Sequence, residues 1–152
     1  FEGSSGSAKL TDLFERRTQL IIYHFMFAPE WENGCRGCTG LVNSLGDLSK
    51  LNERDTTFAL VSRAPFPKLE AYKTLKGWTL PWYSSFGSDF NYDFHITLDE
   101  TIAPTEYNYR DKAELERLNE PNVIQGESHG LSVFFRLSDD VFPHLLHLCP
   151  WR

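Results

Sequence analysis

The sequence predicts an α/β domain with a central mixed sheet flanked by helices, and three observations lead to this fold class. Residues 20–27 are almost continuously apolar and aromatic, as in a strand that is covered on both faces. Residues 56–62 are β-branched and apolar, and a helical stripe separates them from the first run. Residues 131–136 and 141–142 flank a Ser-Asp-Asp turn and indicate an antiparallel hairpin.

The composition fits one domain of ordinary size. The chain has 152 residues, of which 41% are hydrophobic and 14% aromatic, and this disfavours disordered and low-complexity classes. Its formal charge is −6, whereas proteins that bind nucleic-acid backbones need clustered Lys and Arg. Its apolar runs are far shorter than the ~20 residues that span a bilayer. We therefore predict a single domain over residues 1–152, with a cytoplasmic location and with neither nucleic acid nor membrane as a partner.

The first half of the chain predicts a parallel βαβ unit. Residues 1–9 are rich in Gly and Ser, which indicates a turn or linker, and residues 8–17 predict a short amphipathic helix. The run at 20–27 is the predicted central strand, and a loop over residues 28–34 leads into the next helix. That helix is predicted from an apolar stripe of Leu41, Val42, Leu45, Leu48 and Leu51. Strand, helix and strand together form a βαβ unit with a right-handed crossover.

The second half of the chain adds a helix, an excursion and the hairpin. The helix ends at Gly77 and carries an apolar stripe of Leu69, Tyr72 and Leu75. Residues 99–130 are dominated by polar residues, which predicts an excursion on the surface with one short helix at 112–118. The resulting order, β-α-β-α-excursion-β-β, is the skeleton of a thioredoxin-like domain.

Cys35 and Cys38 form a Cys-x-x-Cys pair between the central strand and the helix after it. A helix N-terminus offers free N–H groups and a partial positive charge, which stabilise a thiolate. With Cys35 in the first turn and Arg36 beside it, we expect the pKa of Cys35 to lie below its free value of about 8.5. Cys38, one turn further on, shares a face with Cys35 and is the expected resolving thiol. The pattern predicts a pair that cycles between dithiol and disulfide.

Two other interpretations of the cysteine pair stay open at this stage. In the first, the paired thiols are inert. In the second, they bind zinc together with candidate ligands from the end of the chain, His144, His147 and Cys149. A separate histidine, His24, lies inside the central strand, and we interpret it as a buried core imidazole rather than a ligand or a base.

Several sequence segments carry a resemblance to a known family. Among them are Tyr23-His-Phe-Met-Phe27, Gly34-Cys-Arg-Gly-Cys38, Val61-Ser-Arg-Ala-Pro65, Gly87-Ser-Asp-Phe-Asn91 and Ser132-Val-Phe-Phe-Arg136. Over about residues 10–142 the chain resembles the DUF899 family, whose members are thioredoxin-like proteins often described as predicted dithiol-disulfide isomerases. The resemblance implies a thioredoxin-like α/β domain with Cys35 and Cys38 as the candidate redox pair.

The chain also departs from the patterns of related proteins. Thioredoxins usually place a cis-proline before the strand that faces the dithiol, whereas the corresponding position here, near His129 and Gly130, has no proline. The Pro-x-x-x-Thr/Ser-x-x-Cys pattern of peroxiredoxins is not met before Cys35. Residues 143–152 do not follow the family's pattern, and we hypothesise that they are the product of a frame shift. The fold would then lack its C-terminal helix.

From these residues we predict a thioredoxin-like thiol-disulfide oxidoreductase. Cys35 and Cys38 are the predicted catalytic residues, Arg36 and Trp31 are the supporting residues, and no cofactor or metal is expected. The expected partners are a disulfide or thiol substrate, either protein or small molecule, and an external reductant. The alternatives are a non-catalytic thioredoxin-fold module that binds or supports other molecules, and a peroxiredoxin-like peroxidase.

Overall fold

The structure is a computed structural model that describes residues 1–102, 104–107, 109–118, 125–138 and 140–148. In chain order its strands are β1 (Glu2–Gly3), β2 (Gly6–Ser7), β3 (Gln19–His24), β4 (Thr56–Ser62), β5 (Trp82–Ser84), β6 (Thr97–Leu98), β7 (Glu106–Tyr107), β8 (Arg110–Asp111), β9 (Gly126–Glu127), β10 (Gly130–Leu137) and β11 (Asp140–Leu148). Its helices are α1 (Arg36–Ser44), α2 (Ser49–Asn52), α3 (Phe66–Lys76), α4 (Phe90–Asp93) and α5 (Lys112–Arg117), with a 3-10 helix over Leu10–Phe14.

Seven strands form a mixed sheet in the order β11-β10-β3-β4-β5-β1-β2. β3 and β4 are parallel, with Leu20 opposite Thr57 and His24 opposite Val61, and β5 continues the parallel arrangement beside β4. Most residues of β3 and β4 are buried, which explains why both strands read as nearly continuous apolar runs. The predicted central strand and parallel pair are confirmed.

The hairpin of β10 and β11 completes the other side of the sheet. β10 runs antiparallel to β3, with Gly130 opposite His24 and Phe135 opposite Gln19. β11 in turn pairs antiparallel with β10 and extends to Leu148, further than the hairpin signal indicated. The order β11-β10-β3-β4, with helices packed on it, is the mixed thioredoxin-like sheet that the sequence predicts.

Each face of the sheet has its own core. The core beneath α1 and α3 is mainly aromatic and contains Tyr23, Phe25, Phe27, Cys38, Val42, Leu60, Leu69, Tyr72 and Trp82. The core on the other face includes the 3-10 helix and contains Leu13, Phe14, Leu20, Ile22, Ala59, Val61 and Phe134. Because successive side chains of a strand point to opposite faces, β3 contributes to both. The first core fixes α1, and with it the cysteine pair, against the sheet.

The first part of the chain differs from its prediction in three ways. Residues 1–9 contain the hairpin β1–β2 instead of only a linker, and Glu2 of β1 pairs with Ser84 of β5. The helix predicted for residues 8–17 is only the short 3-10 helix. β3 ends at His24, earlier than predicted, although Phe25 and Phe27 beyond it stay buried.

The two predicted apolar stripes are only partly correct. α1 ends at Ser44, so that Leu48 and Leu51 belong to a separate short helix and not to the same face. In α3, Leu69 and Tyr72 are buried whereas Leu75 is 72% exposed, so the buried stripe is shorter than predicted. Gly77 ends this helix as predicted, with a φ of 68° that favours glycine.

The segment predicted as a surface excursion has a small core of its own. Its described part includes β7, β8, α5 and β9, and its Tyr107 and Leu115 pack with Leu98, which directly precedes the segment. α5 lies within the predicted 112–118, and among the described residues it is the last helix. Residues 149–152 lie outside the described residues, and the frame shift over 143–152 stays a prediction. No helix in the described part of the chain is long and apolar enough to cross a bilayer.

Candidate functional site

Cys35 occupies the N-cap position of α1, directly after the loop that follows β3. Its backbone N–H donates a hydrogen bond to the carbonyl oxygen of Met26, at 3.0 Å, and so connects the start of the helix to the segment that follows β3. Its own carbonyl accepts hydrogen bonds from the N–H and the hydroxyl of Thr39, at 2.9 and 2.8 Å. The position predicted for Cys35, at the positive end of a helix, is the position it has.

The loop between β3 and α1 is held by a lysine of α3. Lys68 Nζ donates hydrogen bonds to the carbonyl oxygens of Pro29 and Trp31, at 2.7 and 2.6 Å. At the end of the loop, a Cβ on Gly34 would lie 2.6 Å from the ring of Phe25, so a larger residue would have to displace that ring. These contacts fix the backbone that delivers Cys35 to the helix.

The pKa of Cys35 is lowered to about 5. A hydrogen bond from the Cys38 thiol makes the largest contribution, and the backbone N–H groups of Cys38 and Gly37 and the positive charge of His129 act in the same direction. Partial burial opposes them. Free N–H groups at a helix N-terminus thus stabilise the thiolate, as the sequence predicts. Arg36 is exposed, and its supporting role stays a prediction.

The pKa of Cys38 shifts in the opposite direction. Cys38 is buried, and the adjacent Cys35 sulfur, followed by burial, raises its pKa well above the ordinary range of a thiol. Hydrogen bonds from the side chain of Tyr23 and the backbone of Met26 oppose this only partly. Both cysteines are free thiols in this structure. The pair therefore consists of one partly exposed thiolate and one buried, protonated thiol.

A groove of about 450 Å³ opens beside the two sulfur atoms. We call it the thiol groove, and its lining residues are Tyr23, Met26, Cys35, Gly37, Cys38, Gly40, Leu41, Ser44 and His129. A Cβ on Gly40 would meet no atom within 4 Å, which leaves that part of the groove open. The thiol groove is therefore mainly apolar and leads to the Cys35 thiolate. His129 contributes an imidazole to its lining.

The other residues that the sequence analysis named lie away from the thiol groove, or their side chains lie outside the part of the chain that the structure describes. His24 is buried, its Nε2 lies 2.7 Å from the hydroxyl of Ser132, and its ring stacks on Phe90, as expected of a core imidazole. Trp31 is partly buried against the first core and does not line the thiol groove. In the described part of the chain no group of three or more His, Cys, Asp or Glu side chains is arranged to hold a metal ion. The side chains of the proposed zinc ligands His144, His147 and Cys149 lie outside that part.

An ion pair that the sequence interpretation missed joins Arg63, which follows β4, to the buried Glu127, which lies two residues before His129. Arg63 donates to the carboxylate of Glu127 through Nε, at 2.7 Å, and Thr97 donates to the same carboxylate at 3.1 Å. The Glu127 side chain is 3% exposed, and burial raises its pKa whereas Arg63 lowers it. One signal was available, since Arg63 is a charged residue directly after the buried strand β4.

The sheet order, the parallel βαβ unit and the helix that starts at Cys35 define a thioredoxin-like fold. The chain belongs to the DUF899 family, described as bacterial protein of unknown function, whose model matches residues 1–146. No curated protein matches the sequence.

Two solved structures illustrate what the chain is similar to. One is the peroxidoxin BcpB from Mycobacterium tuberculosis, with 12% sequence identity and a TM-score of 0.46, over 93% of this chain and 77% of that one. The other is the bacterioferritin comigratory protein of Xanthomonas campestris, a structure described for its alkyl peroxide reduction activity. It has 14% identity and a TM-score of 0.49, over 93% of this chain and 78% of that one, which is a similarity of fold alone.

Proposed function

We propose that this chain is a thiol-disulfide oxidoreductase in which Cys35 attacks and Cys38 resolves. One observation carries the proposal: Cys35 lies partly exposed at the N-cap of α1, and the buried Cys38, one helical turn on, lines the same thiol groove. The interaction of the two thiols lowers the pKa of Cys35 and raises that of Cys38. Thiol-disulfide exchange needs this difference between the two pKa values. The thiolate is the nucleophile of the first step, whereas the second thiol stays protonated until the mixed disulfide has formed.

The two steps of the exchange follow from this arrangement. The Cys35 thiolate attacks one sulfur of a substrate disulfide, a new S–S bond forms, and the other sulfur leaves as a thiolate. Cys35 then carries no negative charge, so the main cause of the raised pKa of Cys38 disappears. Cys38 attacks the Cys35 sulfur, its proton leaves with the second substrate thiol, and a Cys35–Cys38 disulfide closes. An external dithiol returns the pair to its reduced form.

The proposal has to be distinguished from an inert module and from a peroxidase. The partial exposure of Cys35 in the thiol groove favours a reactive thiol over an inert one, because an inert structural cysteine is typically buried in apolar surroundings. The Cys-x-x-Cys spacing favours disulfide exchange over peroxide reduction, because it supplies a resolving thiol one helical turn away. We also propose a cytoplasmic location, since a reducing compartment keeps such a pair in the dithiol form.

Insulin reduction, with dithiothreitol as the electron source, tests the proposal. The wild-type chain is compared with Cys35→Ser and Cys38→Ser, and hydrogen peroxide consumption is measured on the same three proteins. Turnover of insulin that needs both cysteines supports the oxidoreductase. Peroxide consumption that needs Cys35, without insulin turnover, contradicts it in favour of the peroxidase. Equal insulin turnover by the wild type and Cys35→Ser removes Cys35 from the mechanism and leaves the inert module.

A further inference from the structure

We propose that His129 is a further catalytic residue of this exchange, the acid that protonates the thiolate leaving from the substrate when Cys35 attacks. The inference rests on the proposed function and assigns a proton donor to the first step of the exchange, which that function leaves without one. The first observation is the lining of the thiol groove, to which His129 contributes its imidazole and Cys35 and Cys38 contribute their thiols.

The sheet register brings His129 to the thiols. Gly130, the first residue of β10, pairs with His24, the last residue of β3. His129 therefore lies beside the segment that continues from β3, and Met26 in that segment binds the N–H of Cys35. A residue distant in sequence from Cys35 is thus delivered to the N-terminus of α1 by one antiparallel strand pair.

The backbone around His129 is anchored on its N-terminal side. The N–H of Ser128 donates to the carbonyl of Ile96, and Glu127 is held by Arg63 and Thr97. On the C-terminal side β10 begins at once. A catalytic acid has to be held within reach of the proton acceptor, and both flanks of His129 provide that rigidity.

The charges around His129 suit a proton donor. The titratable groups that line the thiol groove with it include Cys35 and Cys38 from α1 and Tyr23 from β3, and Glu127 lies two residues before it on the same segment. The positive charge of His129 contributes to the lowered pKa of Cys35. Histidine is the side chain that changes its charge near neutral pH, which is where such an acid must work.

The proton balance of the step is complete. Cys35 forms a bond to one sulfur of the substrate disulfide, the S–S bond of the substrate breaks, and the electron pair leaves on the second sulfur. The imidazolium of His129 gives its proton to that sulfur, which leaves as a neutral thiol, and His129 becomes neutral. After attack of Cys38 on the mixed disulfide, the proton of Cys38 leaves with the remaining substrate thiol.

Two disulfide probes separate an acid from a residue that only supports Cys35. Bis(2-hydroxyethyl) disulfide releases a weakly acidic alkyl thiol, whereas dithiobis(nitrobenzoate) releases an acidic aromatic thiol that leaves readily without a proton. Single-turnover rates are measured for reduced wild type and His129→Gln, both with Cys149→Ser to remove the third thiol. We expect the substitution to slow the alkyl disulfide about tenfold or more, and the aromatic disulfide less than about threefold.

The pH profile gives a second readout. With the alkyl disulfide the wild-type rate should fall as pH rises through the titration of the imidazole, although the Cys35 thiolate is already formed. His129→Gln should lack this falling limb. His95→Gln, at a histidine outside the groove lining, is the matched control and should keep both the rate and the limb.

The outcomes are distinct from those of the proposed function itself. Equal slowing of both probes, or an unchanged alkyl rate and pH profile, overturns the role of His129 while the oxidoreductase stands. If the wild type reduces neither probe in a manner that needs Cys35, the proposed function fails, and the role of His129 fails with it. Circular dichroism and thermal melting check that His129→Gln folds, and His129→Asn replaces it if it does not.

Discussion

The ammonium group of Lys68, on α3, lies 2.6 Å from the carbonyl oxygen of Trp31, in the loop that leads to Cys35. The same ammonium donates to Pro29, so one side chain fixes two carbonyl groups of the loop. We expect Lys68 to act on the reactive thiol only through this loop, because the loop determines where α1 begins. The loop lies between a buried strand and the Cys35 N-cap, and it has no regular structure of its own.

Replacing Lys68 with methionine should therefore affect both stability and the thiol. We expect Lys68→Met to lower the free energy of unfolding by about 1–3 kcal/mol, since two carbonyl groups lose a charged donor. Urea denaturation measures this loss, and the rate of Cys35 alkylation should change in the same variant. Lys73→Met, on the same helix, is the control. Equal losses in the two variants would mean that the loop contact adds nothing.

Alkylation of Cys35 against pH should report a midpoint near 5, the value to which its pKa is lowered. Cys38→Ala removes the hydrogen bond that makes the largest contribution, so the midpoint should rise toward the free value of about 8.5. Iodoacetamide at a series of pH values, with mass spectrometry of the peptide that contains Cys35, measures it. A midpoint that does not move in Cys38→Ala would contradict the role assigned to that hydrogen bond.

Two glycines near the thiols should respond in opposite ways to alanine. Gly34→Ala places a methyl group 2.6 Å from the Phe25 ring, and such overpacking costs about 1–3 kcal/mol. Gly40 lies inside α1 with open space around it, so Gly40→Ala should stabilise the helix by about 0.5–1 kcal/mol. Urea denaturation of both variants tests the pair. A stabilising Gly34→Ala would show that the loop adjusts more freely than its contacts indicate.

The ion pair of Arg63 and Glu127 should give a stability loss that depends on pH. Arg63→Met leaves a buried carboxylate without its cation, at a cost of about 3–5 kcal/mol. Because burial already raises the pKa of Glu127 and Arg63 opposes this, the variant should raise that pKa further. A carboxyl group whose pKa is higher in the folded than in the unfolded state binds its proton more tightly when the chain is folded. The variant therefore loses stability as the pH rises above the pKa that Glu127 has in the unfolded chain.

Denaturation of Arg63→Met at pH 4 and pH 8 checks this sign, and the loss should be larger at pH 8. The double variant Arg63→Met, Glu127→Gln removes the buried charge as well and should recover part of the stability. A loss that is the same at both pH values would show that Glu127 does not carry an uncompensated charge in the variant.

The sequence predicted those parts of the fold that depend on local patterns. β4 has the predicted bounds, Gly77 ends α3, and Cys35 lies at the start of α1, because burial periodicity and helix signals are local. The hairpin β1–β2 was missed, since its strands have two residues each and depend on pairing with β5. No local pattern in a Gly/Ser-rich segment indicates such pairing.

The candidate site was predicted only in part, for the same reason. Cys35 and Cys38 follow from their spacing, but the pKa shifts of both depend on contacts that the spacing does not contain. His129 and the partners Arg63 and Glu127 reach their places through strand pairing across long stretches of chain. The sequence indicated Arg36 as the supporting cation because it is adjacent, whereas the structure brings His129 to the thiol groove.

The most direct test of the central claim, that Cys35 is the attacking thiolate, is to trap the mixed disulfide. Cys38→Ala, with Cys149→Ser to remove the third thiol, is mixed with bis(2-hydroxyethyl) disulfide, and the adduct is mapped by mass spectrometry of peptides. We predict a stable adduct on Cys35 in this variant, and a Cys35–Cys38 disulfide without adduct when Cys38 is present. An adduct that forms on Cys38 in Cys35→Ala at the same rate, or no adduct on Cys35, would contradict the account.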